Sequence, residues 1–199
     1  MRKTICRKNT SNLLLFCVII LLTFAPSCAA RSSVSEFDFK GTTSSERLSE
    51  YFAYLKECGE ITEDYPDYYG GMYYDNNTLC VVVTDRSRKT EKLIREISGS
   101  DTLKIVYGSA SLNELLREQN LMIEKWAPIL DSYNVNPEDL DSEELLLFEN
   151  LVASEVSESD NNIKVYFTSN DHALEDVFRE HISDYKNVEF IYPEDIESE

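Results

Sequence analysis

Two stretches decide how this chain folds: Asp75-Asn76-Asn77-Thr78-Leu79-Cys80-Val81-Val82-Val83-Thr84 and Asp160-Asn161-Asn162-Ile163-Lys164-Val165-Tyr166-Phe167-Thr168. Each sets an Asp-Asn-Asn turn, tolerant of left-handed backbone, before a run of strand formers that ends in threonine. Met72-Tyr73-Tyr74 and Val156-Ser157-Glu158 precede the turns and supply the first arm of a hairpin. A helical segment follows each second arm, and then a last apolar run, Leu103 to Tyr107 or Val188 to Tyr192. Arg95-Glu96 and Arg179-Glu180 recur at the same offset as the threonines. The chain therefore contains a repeat whose unit is strand, hairpin, strand, helix, strand.

Spacing carries the helices. Leu93, Ile94 and Ile97 line one side of the first, and Leu174, Val177, Phe178 and Ile182 line one side of the second. Asp85 and Ser169 or Asn170 stand at the expected N-caps. A strand-helix-strand connection of this length makes its flanking strands parallel through a right-handed crossover. Leu79 to Val83 is apolar at every position, as in a strand covered on both faces. The fold class is α+β: two ββαβ repeat units, each a small mixed sheet with one helix, joined by a helical linker.

In that linker, Ser111-Leu112-Asn113-Glu114 has capping-box form. Leu112, Leu115, Leu116, Met122, Ile123 and Trp126 share a face, and Pro128 is expected to end or kink the helix. Asn136-Pro137-Glu138-Asp139 reads as a turn opening a short helix through Leu145 to Phe148. Ahead of the first unit, Thr43 to Glu57 forms an amphipathic helix through Leu48, Tyr51, Phe52 and Leu55, stopped at Gly59.

The first residues read as an address. Arg2, Lys3, Arg7 and Lys8 precede the apolar run from Leu13 to Ala25, and Pro26-Ser27-Cys28-Ala29-Ala30 closes it with small residues. This is the pattern of a secretory signal peptide, and the run is shorter than the roughly 20 residues of a spanning helix. Ala25-Pro26-Ser27-Cys28 resembles the lipobox of bacterial lipoproteins, which implies lipid attachment at Cys28. That family usually carries Leu where Ala25 stands. Cleavage after Ala30, giving a secreted protein, is the alternative. The expected organisation is a signal peptide over 1–27 and a flexible tether over 28–45. An N-terminal helix, first lobe and linker helix follow over 46–135, then a short helix, second lobe and acidic tail over 136–199.

The chain holds 37 Asp+Glu against 19 Lys+Arg, a formal charge of −18. Losing the four basic residues before Cys28 would take it to −22. Such a surface repels phosphate backbones, so a nucleic-acid partner is not expected. Cys58 and Cys80 are a candidate disulfide pair in an oxidising compartment, with two separate thiols as the plainer reading.

At Tyr65-Pro66-Asp67-Tyr68-Tyr69-Gly70-Gly71-Met72-Tyr73-Tyr74-Asp75 followed by Leu79 to Asp85, the sequence resembles the propeptides of alpha-lytic-type secreted serine proteases. Those propeptides show a glycine-aromatic-x-Asp turn and an apolar strand ending in Val-Thr. An Ile-containing helix, a Val-rich strand and a Leu-rich helix follow, here Ile94, Leu103 to Tyr107, and Leu112 to Trp126. The resemblance covers roughly residues 65–126 and implies a module that assists the folding of a protease and inhibits it. The chain departs from it in lacking a Gly-Asp-Ser-Gly-Gly nucleophile motif and in its acidic C-terminus from Ile191 to Glu199.

Candidate chemistry is sparse. His172 and His181 are the two histidines, and no flanking motif supplies either with a nucleophile and an orienting acid. The Asp-Asn-Asn turns lack the alternating ligands of a calcium loop, so no metal and no cofactor is expected. Tyr65, Tyr68, Tyr69, Tyr73 and Tyr74 form the densest aromatic cluster and a candidate binding surface, as aromatics bury area while keeping a polar tip. Arg86, Arg88, Lys89, Lys92 and Arg95 make the first repeat helix locally basic, in the main a solvated face. The expectation is an exported, lipid-anchored, non-enzymatic protein that binds a protein partner and resembles a protease regulator. A small extracytoplasmic hydrolase with an unrecognised site is the alternative.

Overall fold

The computed structural model describes residues 34–196. The chain divides into Met1–Glu36 and Phe37–Glu199. In the first unit the described part is one 3-10 turn, Val34–Glu36. The expected signal peptide, Cys28 and the start of the expected tether lie outside the described residues.

The second unit opens with helix α1 (Ser44–Glu57), then β1 (Tyr69–Asp75), β2 (Thr78–Val83), α2 (Arg88–Ser98) and β3 (Lys104–Tyr107). Helix α3 (Leu112–Val135) and a 3-10 turn lead to α4 (Ser142–Asn150). The second repeat is β4 (Leu151–Ser157), β5 (Asn162–Phe167), α5 (Ala173–His181) and β6 (Val188–Ile191), followed by the short α6 (Pro193–Ile196). Both sheets run first strand, second strand, third strand, with an antiparallel hairpin and a parallel crossover pair. The repeat holds down to the register, since each first strand bulges at its second residue, Gly70 or Val152. The α+β class and both ββαβ units are as the sequence indicates.

The repeats differ in their turns. Asn76 and Asn77, with φ of 46° and 67°, close a two-residue loop. In the second repeat the loop spans 158–161 and Asn161 alone of these is left-handed, at φ 56°. Asn77 and Asn161 are thus counterparts, each the residue before the second strand. Strand β2 is buried from Leu79 to Val83, whereas β5 alternates. A strand covered on both faces reads as a continuous apolar run; a half-covered one alternates.

Several expectations shift. Helix α2 is capped by Ser87, whose side chain accepts from Thr90 N–H, while Asp85 accepts from Ser87 N–H at 2.8 Å and from the Thr90 hydroxyl at 2.6 Å. Asp85 holds the cap rather than being it. Helix α5 starts after His172, with Asp171 accepting from Ala173 N–H. Helix α3 does not end at Pro128 but continues to Val135. An interior proline costs about 3 kcal/mol, and packing beyond it offsets that: Ile129 is buried, and Tyr133 stacks on Phe148 at 3.6 Å.

Two segments sit differently from their expected places. Residues 37–41, read as tether, lie along α1: Phe37 and Tyr51 rings meet at 5.5 Å, and Lys40 and Gly41 N–H groups donate to Glu50. Helix α3, grouped above with the first lobe, gives Leu115, Met122 and Ile129 to the core of the second. That core gathers Ile163, Val165 and Phe167 of β5 with Leu174 and Phe178 of α5. The first core is built from Leu48, Phe52, Tyr69, the β2 residues, Ile94 and Ile97. At α1, Thr43 and Glu46 close a reciprocal capping box, and those hydrogen bonds hold the Glu46 carboxyl down at about 2.

Candidate functional site

A buried amide at the centre of their contact docks the second repeat on the first. Asn161 Oδ1 accepts from Ser109 N–H at 2.6 Å and Ala110 N–H at 2.9 Å, and its Nδ2 donates to Gly70 O at 3.3 Å and Ala110 O at 2.8 Å. Every hydrogen-bonding site on that side chain is used. Glycines make the room. A Cβ on Gly108 would lie 2.6 Å from Asn161 Cγ, and one on Gly70 would lie 3.0 Å from Nδ2. Glu158, in the same turn, accepts from Met72 N–H at 2.5 Å. The left-handed tolerance that marks a turn in the sequence here aims an amide into the neighbouring lobe.

Beside the second sheet lies an apolar cavity of about 250 Å3, lined by Met122, Ile123 and Trp126 of α3, Leu151 to Ser154 of β4, and Phe178 and Ile182 at α5. Its floor is core; its rim is not, since Ile123 is 51% and Val152 62% exposed. The bulge between Leu151 and Ala153 opens the strand there. Gln119 on α3 donates to Ser154 O at 2.9 Å, so the outer edge of β4 is occupied just beside the cavity. The sequence did not single out Val152: it precedes the stretch recognised as the second unit. The signal for it was Leu151-Val152-Ala153 directly after the α4 pattern.

The five tyrosines do not share one face. Tyr69 is buried against Phe52 at 4.8 Å and Tyr65 at 5.3 Å, and burial pushes its phenol well above the ordinary range. Tyr68 is half-buried, its phenol pushed up to about 12 by the same desolvation. Tyr73 lies opposite Cys80 in the hairpin, and Tyr74 is exposed, its hydroxyl 3.2 Å from that of Ser45. Cys58, at the end of α1, and Cys80, buried in β2, are thiols and do not form the candidate disulfide. On α2, Arg95 turns inward to donate to Asp101 O and Leu103 O, while Arg86, just ahead of the helix, lies over the Tyr107 ring.

Both histidines face carboxylates. His172 stands 3.7 Å from Glu175 and 3.8 Å from Glu194. His181 Nε2 is 2.9 Å from Glu143 Oε2, a contact that ties α5 to α4. Asp141, Glu144 and His181 place one donor atom each within 4.8 Å. Two of those groups are already committed: Asp141 accepts from Glu143 and Glu144 N–H, and Glu144 accepts from Asp141 N–H. The trio is a helix cap with an ion pair beside it.

That pair sets a pH dependence. The Glu143 hydrogen bond is the main cause raising the His181 imidazole above its ordinary value. A raised folded value stabilises the fold at pH below about 6.5 and loses that contribution as pH rises through the folded value. His181→Gln should therefore flatten part of the decline in melting temperature between pH 5.5 and 8.5, by less than about 1 kcal/mol. Melts of both proteins across that range decide it; parallel curves would reject the assignment.

Residues 32–108 match the model of a family described as a Pro-like N-terminal domain. That match fits a propeptide-like reading of the first lobe. The matched span takes in α1, β1, β2, α2 and β3 and stops just before Ser109 and Ala110, which receive Asn161. No curated protein matches the chain. The match is compatible with a protease-regulator-like role. No helix among the described residues is long and apolar enough to cross a membrane.

Proposed function

We propose that this protein is an exported, non-enzymatic binding protein of the protease-regulator type, held at a membrane by lipid on Cys28. The observation that carries the reading is the propeptide-like match over residues 32–108, joined to a second unit of the same topology. Two linked lobes present a wide surface, and an acidic chain favours a basic partner through long-range attraction. The exposed Tyr74 and the half-buried Tyr68 and Tyr73 offer aromatic contact area on the first lobe. Acyl chains on Cys28, following the export signal, would give the anchor, and a single chain needs a second signal for stable binding.

Crosslinking intact cells and recovering the protein tests the binding role. The expected product is a reproducible adduct with an extracytoplasmic protease; repeated recovery of the protein alone counts against it. Mass spectrometry of the mature N-terminus tests the anchor, with an acylated Cys28 expected and a start at Arg31 meaning release instead.

A further inference from the structure

We infer that the cavity between α3, β4 and α5 receives one large apolar side chain from a basic polypeptide segment of the partner. The inference rests on the regulator reading and adds the chemistry of what is bound.

Size and lining come first. An apolar cavity near 150 Å3 already holds a benzene molecule, so about 250 Å3 admits a phenylalanine or leucine side chain. Seven of the nine lining residues are apolar and larger than alanine. The rim continues the apolar surface outward through Ile123 and Val152, which are exposed and flank the opening. A core wall opening onto solvent through exposed aliphatics is the form of an anchor pocket, where a buried side chain carries most of the binding energy.

Charge selects the occupant. Residues 111–199, which build this half, hold 23 Asp+Glu and five Lys+Arg. Beside the lining residues in the chain, Glu124, Glu149 and Glu155 stand against Lys125 and Arg179, which leaves the surroundings net acidic. A free fatty acid or an acidic peptide would bring its charge into that field, whereas lysines or arginines flanking the apolar residue are attracted. Gln119 decides the mode. Its amide occupies Ser154 O on the outer edge of β4, so the edge is not open there for an added strand, and the recognition is of a side chain.

Trp126, the single tryptophan, lines the cavity and reports its filling. The full chain is titrated with three pentapeptides while Trp126 emission is followed: Lys-Lys-Phe-Lys-Lys, Lys-Lys-Ala-Lys-Lys and Glu-Glu-Phe-Glu-Glu. The first should shift the emission to shorter wavelength and bind at least about tenfold more tightly than either control, with the preference over the acidic peptide shrinking at high salt. Ala153→Phe, which fills the cavity, and Val152→Ser, at an exposed rim position, should each weaken the first peptide severalfold. Equal binding of all three peptides overturns the inference, as does undiminished binding in both variants. If crosslinking in cells still recovers the partner with both variants, the pocket inference fails while the regulator reading stands. Loss of that adduct in the variants, with melting temperature unchanged, supports both.

Discussion

Replacing Asn161 with alanine is expected to cost the protein about 3–5 kcal/mol, a large part of the stability of an ordinary domain. The change removes four hydrogen bonds at once and leaves Ser109 and Ala110 N–H and the Gly70 and Ala110 carbonyls facing a void. Each stranded buried group costs about 1–3 kcal/mol, and partial collapse or entry of water keeps the total below their sum. Alanine is also strained at φ 56° in a way asparagine is not. Asn77→Ala is the matched control: it occupies the same place in the first repeat, with a similar φ of 67°, but in an exposed turn. It should cost about 1 kcal/mol from backbone strain alone. Urea denaturation of the two variants checks the contrast, and similar losses would mean that Asn161 acts only as a turn residue. Gly108→Ala adds a second arm. Its new Cβ presses on the Asn161 amide, so the two substitutions share a site and should be non-additive by about 0.5–3 kcal/mol in a double-mutant cycle.

That pair of asparagines marks the boundary of what the sequence discloses. The hairpins, the order of strands and the parallel crossover are local or periodic features, and the Asp-Asn-Asn turns with their apolar runs encode them directly. Which of two chemically identical turn asparagines is buried depends on the surface it meets. That surface is made by Gly70 and by Gly108 to Ala110, some 50 to 90 residues away. The partition of α3 is hidden for the same reason. Its apolar stripe says that it packs, but the identity of its partner is a long-range fact, and Pro128 reads as a stop in a helix that tertiary contacts carry through. Among the tyrosines, composition suggests a surface, while strand alternation and the bulge at Gly70 send Tyr69 inward and leave Tyr74 out. The cavity is harder still to read, since it forms where the bulged start of β4 meets residues of α3 and α5.

Phe178→Ala is expected to cost about 3–5 kcal/mol and to melt both lobes together. Phe178 is 1% exposed, with its ring edge-on to Phe167 at 6.4 Å and to Phe190 at 5.5 Å. Truncation removes the aromatic contacts of α5 with both β5 and β6 and enlarges a space that already opens into the cavity. Ile94→Ala in the first core should cost about 2–5 kcal/mol on the same grounds. The informative result is the shape of the transition. Helix α3 starts beside the first sheet and supplies the second core, and Asn161 fastens the second turn to the first lobe, so neither lobe can unfold without exposing buried surface of the other. Both variants should therefore shift one common transition, seen alike by far-UV circular dichroism and by Trp126 fluorescence, although Trp126 reports only on the second lobe. If Ile94→Ala moved the circular-dichroism transition and left the fluorescence transition in place, the lobes would be independent. The proposed regulator would then meet its partner with two separately mobile modules, and the pocket would have to bind without support from the first lobe.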